Sequence, residues 1–476
     1  MAMKNSYIYM IGEVVPKLLN FMLLPIMTRY LTPEDYGIIG YVDAIILFVF
    51  IFSVMALNSY LLREYFELNT ERDKKRLIGN FFLFLGIYNF ALFFVSFALL
   101  YFLFQSIEVQ FEIIPILTLA LLVNLFEVFN LFPQIIYRVQ EKASTYVYFV
   151  LSKTVFQFIA VLFFLEYFFH GPISKYYGLL LISVIFSGIS FLIVKKNAIF
   201  SFNNEQLKDG FKFSFPLVLA ALSFTVVDMS DRIILEKYVT MADIGIYTVA
   251  YVLGFSINVI IKGSYKAFEP LIFKNSRHDD FLNIFKAIKN EFLTLVLVTC
   301  FLVILFSQEI ILLMFSEDYY EAYLLMPIIV LAAFAKGIYT IQVLLLMINR
   351  DTRLIGKIMF LGAIINISIN LIFIETYGAV VASLSTFVAF LVMSILVHLK
   401  GFKYYRFSYL TESKDYLFIA LLSVLVYAVY YHLELEVTFW GILGKIALLL
   451  LSVGLIIRAY GMSILKVDPD RNELIS

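Results

Sequence analysis

Apolar runs long enough to cross a bilayer alternate with short polar breaks along the whole chain, fourteen times in all. The runs cover residues 6–28, 37–61, 79–104, 112–136, 144–165, 174–194, 213–235, 244–265, 291–315, 323–347, 354–374, 378–399, 415–431 and 439–459. A hydrocarbon core about 30 Å thick takes about 20 residues of α-helix, so each run predicts one membrane-spanning helix. The runs are too long and too evenly apolar for barrel strands, which alternate over segments of about ten residues. The fold class expected is therefore all-α and integral to the membrane.

The polar breaks carry a second pattern. YLTPEDYGI from Tyr30 returns as YVTMADIGI from Tyr238, with Tyr, Thr, Asp, Gly and Ile in register at an offset of 208. QEKA around Glu141 matches RDTR around Asp351 at 210, and YGLLLIS from Tyr177 matches YGAVVAS from Tyr377 at 200. Three ordered matches at nearly one spacing predict a duplicated half. Six spans separate matched landmarks, so both halves enter the membrane in the same direction, as parallel repeats. The division expected is a bundle of six helices over 1–200, a second over 201–405, and two further helices with a tail over 406–476.

Composition agrees with a lipid environment: 62% of residues are hydrophobic, 15% are charged and the net charge is zero. A water-soluble globule needs far more polar surface. The cations cluster on one side. Breaks after even-numbered spans hold, among others, Arg72, Lys74, Lys75 and Arg76; Lys195, Lys196, Lys208 and Lys212; and Lys400, Lys403, Arg406 and Lys414. By the positive-inside rule these breaks are cytoplasmic, and so are both termini. The first span reads as a retained helix, since it holds Glu13, Pro16 and Lys17 and has no small-residue cleavage site. HDDFLNIFKAIKNEF from His278 puts Phe281, Leu282, Phe285 and Ile288 on one face and is expected to form an interfacial helix before the ninth span.

Polar residues inside the runs are the candidate chemistry, because an ionisable group at mid-bilayer costs about 2.5 to 3.5 kcal/mol unless it faces a partner or water. Glu13, Lys17 and Asn20 share a face of the first span, and Asp228, Asp231 and Arg232 share one in the seventh. Lys153 lies about 16 Å inside the break before the fifth span, and Lys336 is similarly deep in the tenth. Tyr251, Phe255, Asn258 and Lys262 form one stripe in the eighth; Glu127 stands between Asn124 and Asn130 in the fourth, and Asp43 lies in the second. Glu13 with Lys17, or Asp231 with Arg232, also fit structural ion pairs, and Lys262 is placed to snorkel. Asn366 and Asn370 suit interhelical hydrogen bonding. Several deep cations suit an anionic head group such as a phosphate or diphosphate.

MTRYLTPEDYGIIGYVDAI from Met27 and DMSDRIILEKYVTMADIGIYTVAY from Asp228 resemble the Wzx-type polysaccharide flippases, in the superfamily that also holds the MATE drug exporters and the lipid II flippases. Arg29, Leu31, Pro33, Tyr36 and Gly37 fit one family element; Asp231, Arg232 and Leu235 fit another. The resemblance implies a MATE-like pair of six-helix bundles with two extra helices. It implies transport of undecaprenyl-diphosphate-linked oligosaccharide repeat units from the inner to the outer leaflet of the bacterial cytoplasmic membrane by alternating access. Chemistry then assigns Arg29, Lys153, Arg232, Lys262 and Lys336 to the diphosphate. Glu13, Asp43, Glu127 and Asp228 are the candidates for coupling to H+ or Na+.

A MATE-type cation antiporter and a lipid II type flippase are the transport alternatives. A membrane enzyme would need a sizeable catalytic loop, a paired acidic motif or a Gly-rich phosphate cradle, and the breaks supply none. Cys300 is alone, and His170, His278, His398 and His432 show no ligand spacing, so neither a metal nor a cofactor is expected. The partners expected are the lipid-linked oligosaccharide, membrane lipids and neighbouring polysaccharide polymerase or glycosyltransferase enzymes, with no nucleic acid.

Overall fold

Thr32 and Thr240 start the same local structure twice. In each copy the threonine Oγ1 accepts the N–H of the aspartate three residues on, at 3.2 Å, and that aspartate's Oδ2 accepts the threonine N–H at 3.0 Å. This reciprocal capping box satisfies N–H groups that a helix start leaves without partners. It explains why Thr and Asp recur in register between Tyr30 and Tyr238: both copies begin the second helix of a half.

The computed structural model describes residues 2–168, 171–401 and 439–460, with single positions or pairs at 418, 421–422, 425, 466–467 and 474–475. The described chain is almost wholly helical, apart from two-residue strands at Lys466–Val467 and Leu474–Ile475 that pair antiparallel. Twelve of its helical stretches are long and apolar enough to cross a membrane, and Val15–Met27 adds a shorter apolar stretch in the first helix. The span expected at 415–431 lies outside the described residues but for four positions.

By packing the chain forms two compact units, residues 1–246 and 247–476. The first contains α1 (Ala2–Met27), α2 (Pro33–Val54), α3 (Leu57–Glu67), α4 (Glu71–Ser106), α5 (Ile113–Glu127), α6 (Leu131–Val139), α7 (Ala143–Tyr167), α8 (Ile173–Asn197), α9 (Asn204–Leu235) and the first turns of α10 (Met241–Gly254). The second contains the rest of α10, α11 (Asn258–Asn275), α12 (Phe281–Leu305), α13 (Ser307–Met314), α14 (Ala322–Ile348), α15 (Thr352–Tyr377), α16 (Ala379–Gly401) and α17 (Phe439–Tyr460). The packing boundary falls later than the repeat boundary at 200 because α9 packs along α2 and α3. The two boundaries measure different things, shared sequence and shared core.

Several spans are interrupted where the sequence reads continuous. The second breaks at Met55 and Ala56, which take left-handed backbone with φ of 50° and 52°. The fourth breaks at a 3-10 turn, Val128–Asn130, and the eighth at another, Phe255–Ile257. The ninth ends at Leu305 and resumes as α13. The stretch after His278 is not a separate interfacial helix. Phe281, Phe285 and Ile288 continue the buried face of Phe292 and Val296 without a break in helical register, so the segment runs straight into α12.

The core of the first unit gathers Tyr60, Phe81, Phe82 and Phe132 from α3, α4 and α6. In the second unit α14 is buried on nearly all sides, as expected for a helix apolar all round. On α4, by contrast, Phe90, Phe94, Leu99 and Phe102 point outward, the surface that lipid would cover.

Candidate functional site

The 3-10 turn in the fourth span sits where Glu127 meets the other helices of the first unit. Lys153 on α7 donates to Glu127 Oε2 and forms an ion pair with it. Gln157, one turn along α7, donates to Oε1 at 2.8 Å, and Ser183 on α8 donates to the same oxygen at 2.7 Å. Asn130 Nδ2 lies 3.5 Å from Oε2, and its own Oδ1 accepts from Ser190 at 2.9 Å. Four donors from three directions thus converge on one carboxylate well inside the spans. The pair retains some access, with side-chain exposures of 16% for Lys153 and 20% for Glu127.

Nearer the other end of the same unit, Asp43 on α2 joins α8. Lys175 Nζ lies 2.5 Å from Asp43 Oδ2, and Tyr176 donates its hydroxyl to Oδ1 at 3.0 Å. In α9 the Arg232 guanidinium donates to Asp231 Oδ1 and to the Asp228 carbonyl, each at 3.2 Å. Both Arg232 and Asp231 are buried. Arg29 is exposed in the turn after α1, and Asp228 is half-buried. The side chain of Glu13 lies outside the described residues.

In the second unit Lys336 is buried in α14, its ammonium 4.9 Å from the centre of the Phe255 ring and 5.0 Å from that of Phe390. Phe255 is in turn stacked on Tyr251 at 4.3 Å, the planes within 8°. The 3-10 turn that opens at Phe255 presents this ring, and Lys262, two turns further on, is exposed. Ring faces hold a cation by their quadrupole without neutralising it.

Of the nine sequence-expected site residues, Lys153 and Glu127 are brought into direct contact, and Arg232 is joined to the backbone of Asp228. Arg29 and Lys262 stand exposed. Sequence reading missed Gln157, although its spacing of four from Lys153 put both on one helical face. It also missed Ser183 and Lys175, whose roles depend on which face α8 turns inward. Gln110 had no signal either: from the break between α4 and α5 it donates to the Glu236 and Val239 carbonyls at 2.7 and 2.8 Å and accepts the Met241 N–H at 3.2 Å, tying down the hairpin between α9 and α10.

Fold and composition together define a multi-span helical membrane protein. Among solved structures it is similar to the lipid II flippase MurJ in an inward closed conformation, with a TM-score of 0.71 and 15% identity over 96% of this chain and 99% of that one. It is also similar to an inward-facing multidrug resistance MATE family transporter of the MOP superfamily, at 0.65 and 15% over 87% and 99%. At these identities the shared property is the fold. In sequence the chain matches the polysaccharide biosynthesis protein family over residues 2–276, more than half its length, and belongs to that family. Both segments that carry the Wzx-type resemblance, 27–45 and 228–251, lie inside this match. Two Haemophilus influenzae proteins are similar: an uncharacterized membrane protein, 26% identical over 281 residues, and the Lsg locus protein 1, 24% identical over 277. Each match covers 57% of this chain, and 65% and 66% of the relatives' lengths, just under two thirds.

Proposed function

We propose that this protein is a flippase that carries an undecaprenyl-diphosphate-linked oligosaccharide repeat unit from the inner to the outer leaflet of the bacterial cytoplasmic membrane. It acts as a carrier rather than an enzyme, with both termini cytoplasmic, by alternating access between the two repeated halves. The observation that carries the reading is Lys336, a lysine buried at mid-span in a member of the polysaccharide biosynthesis family, with its ammonium over two ring faces. A buried ammonium is costly to maintain and is placed where an anion is to be received.

The other proposed diphosphate ligands divide by their surroundings. Arg29 and Lys262 are exposed and suit first capture, whereas Arg232 and Lys153 already engage Asp231 and Glu127. Movement is coupled to an ion, H+ or Na+, through Glu127 and Asp43, with Glu13 and Asp228 as further candidates. The fold shared with a MATE transporter keeps cation export as the competing activity.

The test is complementation. In a strain lacking this protein, Lys153→Met and Lys336→Met should each fail to restore surface polysaccharide, with lipid-linked repeat units accumulating on the cytoplasmic side. If both variants export normally, the cationic-site reading is lost. If the wild-type chain confers drug efflux and no glycan export, the exporter reading replaces it.

A further inference from the structure

Glu127 and Lys336 stand at the same residue count before matching turns in the two halves. α6 and α14 both end on a residue with left-handed backbone, Glu141 with φ 56° and Arg350 with φ 57°. The same hydrogen bonds close both turns: Lys142 N–H to the Tyr137 carbonyl at 2.9 Å, and Asp351 N–H to the Leu346 carbonyl at 3.0 Å. In that backbone register, at an offset of 209 where the QEKA and RDTR match has 210, Glu127 and Lys336 each stand fourteen residues before the turn. The YGLLLIS and YGAVVAS register likewise pairs Ser190, which supports Asn130, with Phe390, which faces Lys336. At this count the first half has a carboxylate among polar donors and the second an ammonium over aromatic faces.

We propose that Lys153 and Glu127 are an exchange pair, in which the carboxylate stores the lysine while the carrier is empty and an arriving diphosphate draws Lys153 away as Glu127 takes up one proton from water. This rests on the diphosphate-lipid reading of the substrate. Lys153 is able to move because the pair is partly accessible and the lysine stem is long and flexible. A diphosphate offers it more negative charge than one carboxylate. Once Lys153 leaves, Glu127 retains Gln157 and Ser183 on Oε1 and Asn130 near Oε2, all neutral donors. A poorly solvated carboxylate without its cation is protonated rather than left charged. The proton goes to Oε2, the oxygen that Lys153 vacates, and the balance is one proton bound per diphosphate held.

Among the described residues, the surrounding charges leave this to Glu127. The packed helices carry Lys17 on α1, Asp43 on α2, Arg138 on α6, Glu166 on α7 and Lys175 on α8, and Asp43 and Lys175 engage each other. Among the described residues Lys153 is the charged group that touches Glu127.

Calorimetric titration of the purified full-length protein with farnesyl diphosphate, at pH 8 in two buffers of different ionisation heat, counts protons taken up per ligand and needs no variant. About one is expected for the wild type. Glu127→Gln should take up none and bind more tightly, by about tenfold, because its amide no longer holds Lys153 by charge. Lys153→Met should bind more weakly, by about tenfold or more, again with no uptake. Wild-type binding without proton uptake, or equal uptake by Glu127→Gln, overturns the exchange and leaves the diphosphate reading standing. No binding of farnesyl diphosphate by the wild type overturns both.

Discussion

Gly37 and Gly245, matched positions of the internal repeat, lie against one another across the crossing of α2 and the first turn of α10. A Cβ on Gly37 would sit 1.8 Å from the Met241 carbonyl oxygen, and one on Gly245 would sit 1.8 Å from that of Pro33. The contact is reciprocal, residue for residue, as expected when two copies of one element meet about a local two-fold axis. The atoms in the way are backbone, so neither helix has a side chain to swing aside.

Gly37→Ala and Gly245→Ala should therefore each force the crossing apart and destabilise the protein by about 1 to 3 kcal/mol. The double variant should cost less than the sum, since either methyl alone has already separated the helices. Thermal unfolding of the four proteins in detergent measures this. Strict additivity would mean that the two glycines do not share one contact.

A second pair joins α13 to α17 within the second unit. Lys445 Nζ lies 2.6 Å from Glu309 Oε1, and both residues are buried. Removing one partner strands the other charge at a cost of about 3 to 5 kcal/mol, whereas replacing both by uncharged groups is often near neutral. Lys445→Met should thus sharply lower the unfolding temperature in detergent, and adding Glu309→Gln should restore most of it. If the second change restores nothing, Lys445 contributes by packing and not by charge.

These examples mark how far the sequence carries. Span positions were legible because lipid imposes a length and an apolarity on every crossing, and the duplication was legible because the matched residues are capping and crossing residues whose backbone roles tolerate few substitutes. Lys153, Glu127 and Lys336 stood out one at a time, as charges where charges are costly. Their partners did not, because Gln157, Ser183 and Phe390 are ordinary in their own helices and acquire meaning only from helix rotation, which periodicity leaves open. The breaks at Val128 and Phe255 were hidden for a related reason: the 3-10 turns contain no Gly or Pro and are set by the packing around them.

Glu236 gives the hairpin between α9 and α10 a pH dependence. It is buried at the end of α9, and its Oε1 accepts the Gln110 N–H at 3.2 Å. Burial raises its carboxyl above the usual 4.5, against the opposing pull of that hydrogen bond. A carboxyl with a raised folded-state value contributes stability that is fully present below 4.5 and is lost as the pH rises through the folded-state value. This carboxyl's own contribution should therefore lower the melting temperature as the pH rises through that window. Glu236→Gln keeps an oxygen acceptor and cannot ionise, so the melting temperature of the wild type relative to this variant should fall between pH 4 and pH 8. An identical pH profile for the two proteins would assign the dependence to other groups.

Lys336 separates stability from transport. Lys336→Met keeps a long side chain between Phe255 and Phe390, and a thioether packs well on ring edges at about 0.3 to 1.5 kcal/mol. The lost cation–π attraction, about 2 kcal/mol for a desolvated pair, is offset by the removed cost of burying an ammonium. The unfolding temperature should accordingly move little. Export should fall by about tenfold or more, the worth of one charge-assisted contact at about 1.5 to 3 kcal/mol. Lys336→Arg keeps the charge and can stack its guanidinium on the same rings, so it should retain part of the export. Reading melting temperature and surface polysaccharide together on the three proteins decides the role: a Met variant that unfolds early and an Arg variant that also fails would make Lys336 a packing residue and remove it from the path of the anion.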